Sequence, residues 1–267
     1  MLKSPLARVC LTATMVLGLV ASMSATHSWG GYHWARTSNP FTVQVADNVS
    51  SAWDSYLDTA VGDWSQSEVL NVAEVAGTNG RNCKPKAGRV EVCNAAYGFN
   101  GWLGIAQIWI TGGVHITQAT TKMNDSYFNT STYNRPEWKN LVMCQEIGHT
   151  FGLAHNDEDF STTNGTSMDY TNFPGSNQHP NQHDYDQLVA IYSHSDGFTS
   201  ATTTRLNVPM PPAMGLIDMD NPRNWGQSIH RNANGRQETF ELDFGNGAKV
   251  VTEVFWADHD DAHEHTH

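Results

Sequence analysis

The stretch Gln145-Glu146-Ile147-Gly148-His149-Thr150-Phe151-Gly152-Leu153-Ala154-His155 constrains this 267-residue chain more than any other. Positions 145 and 149 are four apart, so on a helix they project from one face and can reach one metal ion. Glu146, one residue on, can approach a water held by that ion rather than the ion itself. Gly152 permits the sharp turn that brings His155 back towards the same point. A divalent ion on neutral imidazoles at 149 and 155, with a position open for water, lowers the pKa of that water towards ~7. Glu146 can then take the proton as the water attacks a peptide carbonyl, and later pass it to the leaving amine. The fold must therefore present one end of a packed helix, with its following turn, to a cleft.

The neighbouring sequence supplies such a frame. Pro136 opens the helix at a first-turn position where its missing N–H does no harm, and Trp138, Leu141, Val142 and Cys144 give it apolar surface. Residues 41–49 alternate apolar and polar as a half-buried strand does, and 69–75, 89–93, 103–110 and 115–123 are further strand candidates. Between the first two, Trp53, Leu57, Val61 and Trp64 recur at helical spacing, with Ser50 or Ser51 near the cap. A polar loop over 156–175 leads to a third helix over 184–192. Further on, Phe240, Leu242 and Phe244 alternate, Gly245-Asn246-Gly247 turns the chain, and 251–255 returns as a hairpin. This order predicts an α+β fold rather than a regular βαβ alternation.

The 145–155 segment resembles the long zinc-binding consensus of the metzincin metallopeptidases, His-Glu-x-x-His-x-x-Gly-x-x-His, at every defined position except the first, where Gln145 stands. Gly165-Thr166-Ser167-Met168-Asp169-Tyr170 looks like the Met-turn of that family, and the resemblance covers about residues 40–195. It implies a zincin-like catalytic domain of matrixin or astacin type: a twisted mixed sheet, an active-site helix and a Met-turn. One catalytic Zn2+ is expected on Gln145, His149 and His155. Glu146 becomes the general base, Tyr170 an auxiliary ligand or oxyanion stabiliser, and Met168 structural support beneath the metal. The strand near 102–110 takes the upper rim of the substrate cleft. The implied activity is that of a metalloendopeptidase acting on protein or peptide substrates.

Gln145 leaves three arrangements open. Its neutral carbonyl oxygen ligates more weakly than histidine, or Tyr170 or Asp157 supplies the third ligand, or the site is degenerate. The last makes the chain a catalytically inactive, secreted peptide-binding or metal-capturing protein.

Composition narrows the setting. Twenty-seven acidic against fifteen basic residues give a formal charge of -12, which excludes nucleic acid as a partner. Lys3 and Arg8, an uncharged run over 9–21 and the small residues Ser22, Ser24 and Ala25 form a secretory signal over 1–25. The expectation is a secreted protein with no stable membrane association after cleavage. A metallopeptidase domain follows over 26–198, then a small β element over 199–257 and a His/Asp-rich tail over 258–267. In an oxidising compartment Cys83 and Cys93 close a short loop as a disulfide or remain two buried thiols. Cys144 faces away from the metal side of its helix and is expected as a buried free thiol. His179, His183 and Asp184 are expected to cap and flank the third helix, and His115 to be structural.

Overall fold

The period-2 pattern at Phe41, Val43 and Val45 places all three side chains in the core, on the first long strand of a single nine-stranded sheet. The computed structural model describes residues 27–258 apart from 79, 81, 158 and 202–209. The signal segment and the tail beyond Asp258 lie outside the described residues. In chain order the strands are β1 (His33–Trp34), β2 (Phe41–Asn48), β3 (Leu70–Ala76), β4 (Arg89–Ala95), β5 (Trp102–Thr111), β6 (His115–Asn124), β7 (Gln227–Arg231), β8 (Gln237–Asp243) and β9 (Lys249–Trp256). The helices are α1 (Asp54–Trp64), α2 (Asp125–Phe128), α3 (Pro136–His149), α4 (Gln182–Ile191) and α5 (Pro212–Leu216). Among the described residues no helix is long and apolar enough to cross a membrane.

The sheet runs β3-β2-β4-β6-β5-β9-β8-β7, with the short β1 added beside the start of β6. The β3, β2, β4 and β6 strands are mutually parallel, and β5 is antiparallel to β6. The result is the mixed α+β architecture that the sequence implies. Helices α1 and α3 pack together on one face. Trp64 Nε1 donates to the Cys144 carbonyl at 3.0 Å, and the Trp64 ring lies 2.6 Å from where a Cβ on Gly148 would stand. Only glycine lets the two helices approach so closely.

The β5 strand departs from the sequence reading. Resemblance makes 102–110 the rim of a cleft, yet all ten residues of β5 are buried, because β9 pairs antiparallel along its other edge. Ala106 faces Glu253 and Ile108 faces Val251 in that register. Leu103, Ile108 and Ile110 point into the main core with α1 and α3. Trp102, Ile105 and Trp109 pack on the opposite face with Met214, Met219 and Trp225. A nearly unbroken apolar strand signals burial on both faces, and the segment around α5 supplies the second cover. The C-terminal strands thus continue the main sheet rather than forming an appended element.

Two smaller points differ from or complete the sequence reading. Helix α1 starts at Asp54 with no side-chain cap, because Ser50 is engaged with Asn94 beside β4, its N–H donating to Oδ1 at 2.6 Å and its Oγ accepting from Nδ2 at 3.2 Å. Cys83 and Cys93 are joined as a disulfide, with Cα atoms 5.9 Å apart. Cys144 is buried and free and accepts a hydrogen bond from Ser167 Oγ at 2.9 Å.

Candidate metal centre

Helix α3 ends on His149, and the chain then turns through Gly152 at φ +91°. A Cβ at Gly152 would lie 2.0 Å from the Tyr32 carbonyl oxygen, so this turn requires glycine both for its backbone angle and for space. The segment beyond is pinned on both sides of His155. Ala154 N–H donates to the His27 carbonyl at 2.6 Å and Asn156 N–H to the Met168 carbonyl at 2.7 Å.

This local geometry brings His149 and His155 together, Nε2 to Nε2, at 3.2 Å. His149 Nδ1 sits 2.8 Å from the Leu153 carbonyl oxygen, which can only accept, so Nδ1 carries the proton and Nε2 presents its lone pair. His155 Nδ1 lies 3.8 Å from Glu253 Oε1. Ligating histidines characteristically turn their second nitrogen to a carbonyl or carboxylate in this way. Burial lowers the pKa of His149 to about 4 and that of His155 well below its usual value, with the His149 ring adding to the second effect. Both imidazoles are therefore neutral at pH 7, the form that binds a metal. Tyr170 stacks on His155 with ring centres 4.1 Å apart, and Trp29 meets His149 edge-on at 5.6 Å.

Glu146 is fully buried on the same helix, and neither of its carboxylate oxygens has a hydrogen-bond partner among the described residues. Desolvation raises its carboxyl well above the usual range, and nearby Glu253 adds to this. Gly104 on β5 makes its room: a Cβ there would stand 2.6 Å from Glu146 Oε1. An unpartnered buried carboxylate on the helix that carries His149 suits a positively charged surrounding. On these observations His149 and His155 fit a divalent zinc-class ion as a pair of ligands, while among the described residues Glu146 does not complete a close three-ligand group with them.

Gln145 is also fully buried, and its amide is committed elsewhere. Its Nε2 donates to the carbonyls of Ser167 at 2.8 Å and Asp169 at 3.3 Å, while Oε1 accepts from Gln237 Nε2 at 3.2 Å. Met168 is buried under α3, its sulfur 2.6 Å from the place of a Gly148 Cβ. Asp157 lies off this cluster in the polar loop, hydrogen-bonded to Asn164.

A cavity of about 310 Å³ opens onto His149, His155 and Tyr170, walled by the N-terminal segment and by β7–β9. Glu253, Gln237 and His27 around it escaped sequence reading. Glu253 had a weak signal, as the one acid in the run Val-Val-Thr-Glu-Val-Phe-Trp at 250–256. Burial raises its carboxyl to about 8.

Residues 100–190 match the family model of the reprolysin-like metallopeptidases, family M12B. That match supports a reprolysin-like metzincin metallopeptidase domain in this chain. It spans β5 to α4 and so includes the 145–155 segment, about a third of the sequence. No curated protein matches the chain. Among solved structures, one described as "Structure of myroilysin" is similar at 10% identity, with a TM-score of 0.34, covering 60% of this chain and 97% of that one. The family match and the metal-capable clusters support a metallopeptidase-like protein. His/Asp groups able to hold a metal occur at His27, His183 and Asp184, and at His33, His115 and Asp196.

Proposed function

We propose that the chain is a secreted zinc-dependent endopeptidase of the metzincin type. The observation that carries this reading is the 3.2 Å approach of the His149 and His155 Nε2 atoms, with the unpartnered carboxylate of Glu146 on the same helix as His149. Tetrahedral zinc with bonds of 2.0–2.1 Å separates its ligand atoms by about 3.3 Å. His149 and His155 would hold the ion, and the Gln145 carbonyl would be a weak third donor through its remaining lone pair. Zinc supplies Lewis-acid activation of water at neutral pH. Glu146 would be the group to accept a proton from water and return it to the leaving amine, its desolvated position raising its proton affinity. Tyr170, stacked on His155, is the auxiliary group facing the substrate carbonyl, and Met168 supports α3 from below. Peptide reaches the centre through the 310 Å³ cavity, since β9 takes the edge of β5.

A second reading, a catalytically silent secreted protein, draws on two observations: the Gln145 amide hydrogen-bonded through both its nitrogen and its oxygen and the doubly paired β5. One comparison separates the two. The zinc-loaded chain is assayed on a quenched-peptide library beside its Glu146→Ala variant. Cleavage abolished by the substitution, with zinc retained, supports the peptidase. Absent or equal cleavage by the two proteins overturns it.

A further inference from the structure

Apart from the centre just described, four metal-capable side chains from three distant parts of the chain come together. We propose that His33, His115, His194 and Asp196 form a second, structural site for a zinc-class divalent ion, independent of the one at His149 and His155. The rings of His33, at β1, and His115, at the start of β6, are brought together because those strands pair, His33 opposite His115. His194 and Asp196 follow α4.

The ligand atoms of His33, His115 and Asp196 lie within 4.8 Å of one another, and His194 approaches two of them. His194 Nε2 lies 3.2 Å from His33 Nε2, and His115 Nε2 lies 3.2 Å from Asp196 Oδ1. His33 Nε2 and His194 Nε2 stand 3.6 and 3.7 Å from the same oxygen. Ligand atoms around tetrahedral zinc are about 3.3 Å apart. Hydrogen bonding alone accounts for two of these contacts, His194 to His33 and His115 to Asp196. It leaves the other pair unexplained. His33 Nδ1 is 2.8 Å from the Gly31 carbonyl oxygen and carries the ring proton, so its Nε2 turns a lone pair towards Asp196 Oδ1 with no proton between them. A cation on His33, His115 and Asp196 would account for these contacts, with the half-exposed His194 ring, already against His33 and Asp196, turning in to complete the four.

The surrounding residues are arranged as outer partners of such a site. Buried Arg36 binds the other oxygen of Asp196, with Nη1 at 2.8 Å from Oδ2, leaving Oδ1 to the imidazoles. The same guanidinium donates to the His194 carbonyl, so Arg36 sets the spacing of both ligands on that loop. Gly31 plays the matching part for His33. The group at His27, His183 and Asp184 lacks this design: its two rings stack face to face at 4.5 Å, so their lone pairs lie in parallel planes instead of meeting.

Such a site would staple β1, β6 and the chain beyond α4. It would also fix the N-terminal segment, whose Tyr32 carbonyl shapes the Gly152 turn.

The test is made in a His149→Ala/His155→Ala chain, which removes the other centre, so its outcome does not depend on the peptidase reading. Zinc content is measured by elemental analysis after exhaustive dialysis, with and without a further His115→Ala or His194→Ala substitution. The His-rich tail is common to every variant and cancels in the difference. The expected result is one zinc equivalent lost with either added substitution, and tetrahedral cobalt bands in the cobalt-loaded parent that disappear with the same changes. Equal zinc content in all three proteins, or no bound zinc in the parent, overturns the proposal. Should the double variant not fold, His194→Ala in the otherwise unaltered chain must lose one equivalent, and retention of full zinc content there sinks it equally.

Discussion

The carbonyl oxygen of Tyr32 fills the space that a side chain on Gly152 would need, 2.0 Å from the missing Cβ. The turn that carries His155 is therefore fitted around the N-terminal segment, and His155 and the residues before β1 are placed as a unit. Gly152→Ala combines a positive φ with a backbone clash. It should destabilise the fold by about 2–5 kcal/mol, the sum of a strained backbone and an overpacked contact. Urea unfolding measures this, and a midpoint equal to wild type would show that the turn is not so constrained.

Gln145→His restores a third imidazole at a spacing that reaches the ion. Zinc affinity should rise at least tenfold, taking the effect of lost outer-shell partners as a lower guide. Competition against a chelator of known affinity reads the change. The same substitution strips Gln237, Ser167 and Asp169 of their partner, so the metal-free protein should lose about 1–3 kcal/mol. Unchanged zinc affinity would mean that position 145 does not reach the ion.

Glu253 is fully buried, with its carboxyl raised to about 8 from an ordinary 4.5. The folded protein thus holds a proton that the unfolded chain has released, and stability falls as pH rises between those values. It is highest below the ordinary carboxylate pKa and levels off above pH 8. The depressed His149 and His155 act in the opposite sense up to their ordinary 6.5, so in chelator-treated protein the Glu253 effect should show as a Tm that falls between about pH 6.5 and 8, and Glu253→Gln should flatten that part of the slope. A Glu253→Gln profile parallel to wild type would assign the dependence to other groups.

Cys83 and Cys93 are ten residues apart and disulfide-bonded. Closing a loop of that length restricts the unfolded chain by about 2–3 kcal/mol. Replacing both by alanine should lower stability by that amount while leaving zinc content unchanged, since the bridge lies on β4 and its preceding loop, away from α3. Denaturant unfolding and elemental analysis check the two halves of this statement.

Local pattern made much of the frame legible. The alternation at Phe41, Val43 and Val45 and the helical spacing of Leu57 and Trp64 report side chains that share one face of one element, so neighbours in sequence suffice to read them. The same holds for Pro136 at the start of α3 and for Gly152 after its end. The position of β5 was not legible. Its apolar run says that both faces are buried, but not which strand lies along its second edge.

What the sequence alone determined is the chemistry carried by the 145–155 segment. A four-residue helical spacing puts Gln145 and His149 on one face with Glu146 next to them, and Gly152 lets the chain turn back towards them; the final seat of His155 also depends on the N-terminal segment. Tertiary structure decided what surrounds it, Gln237 on the Gln145 amide, Glu253 beside His155 and β9 along β5, and elsewhere in the fold it brought His33, His115 and Asp196 together with His194 next to them. The physical reason is sequence distance. Helix and turn geometry act over a few residues, whereas these meetings depend on strand order and register across more than eighty positions, which no local periodicity encodes.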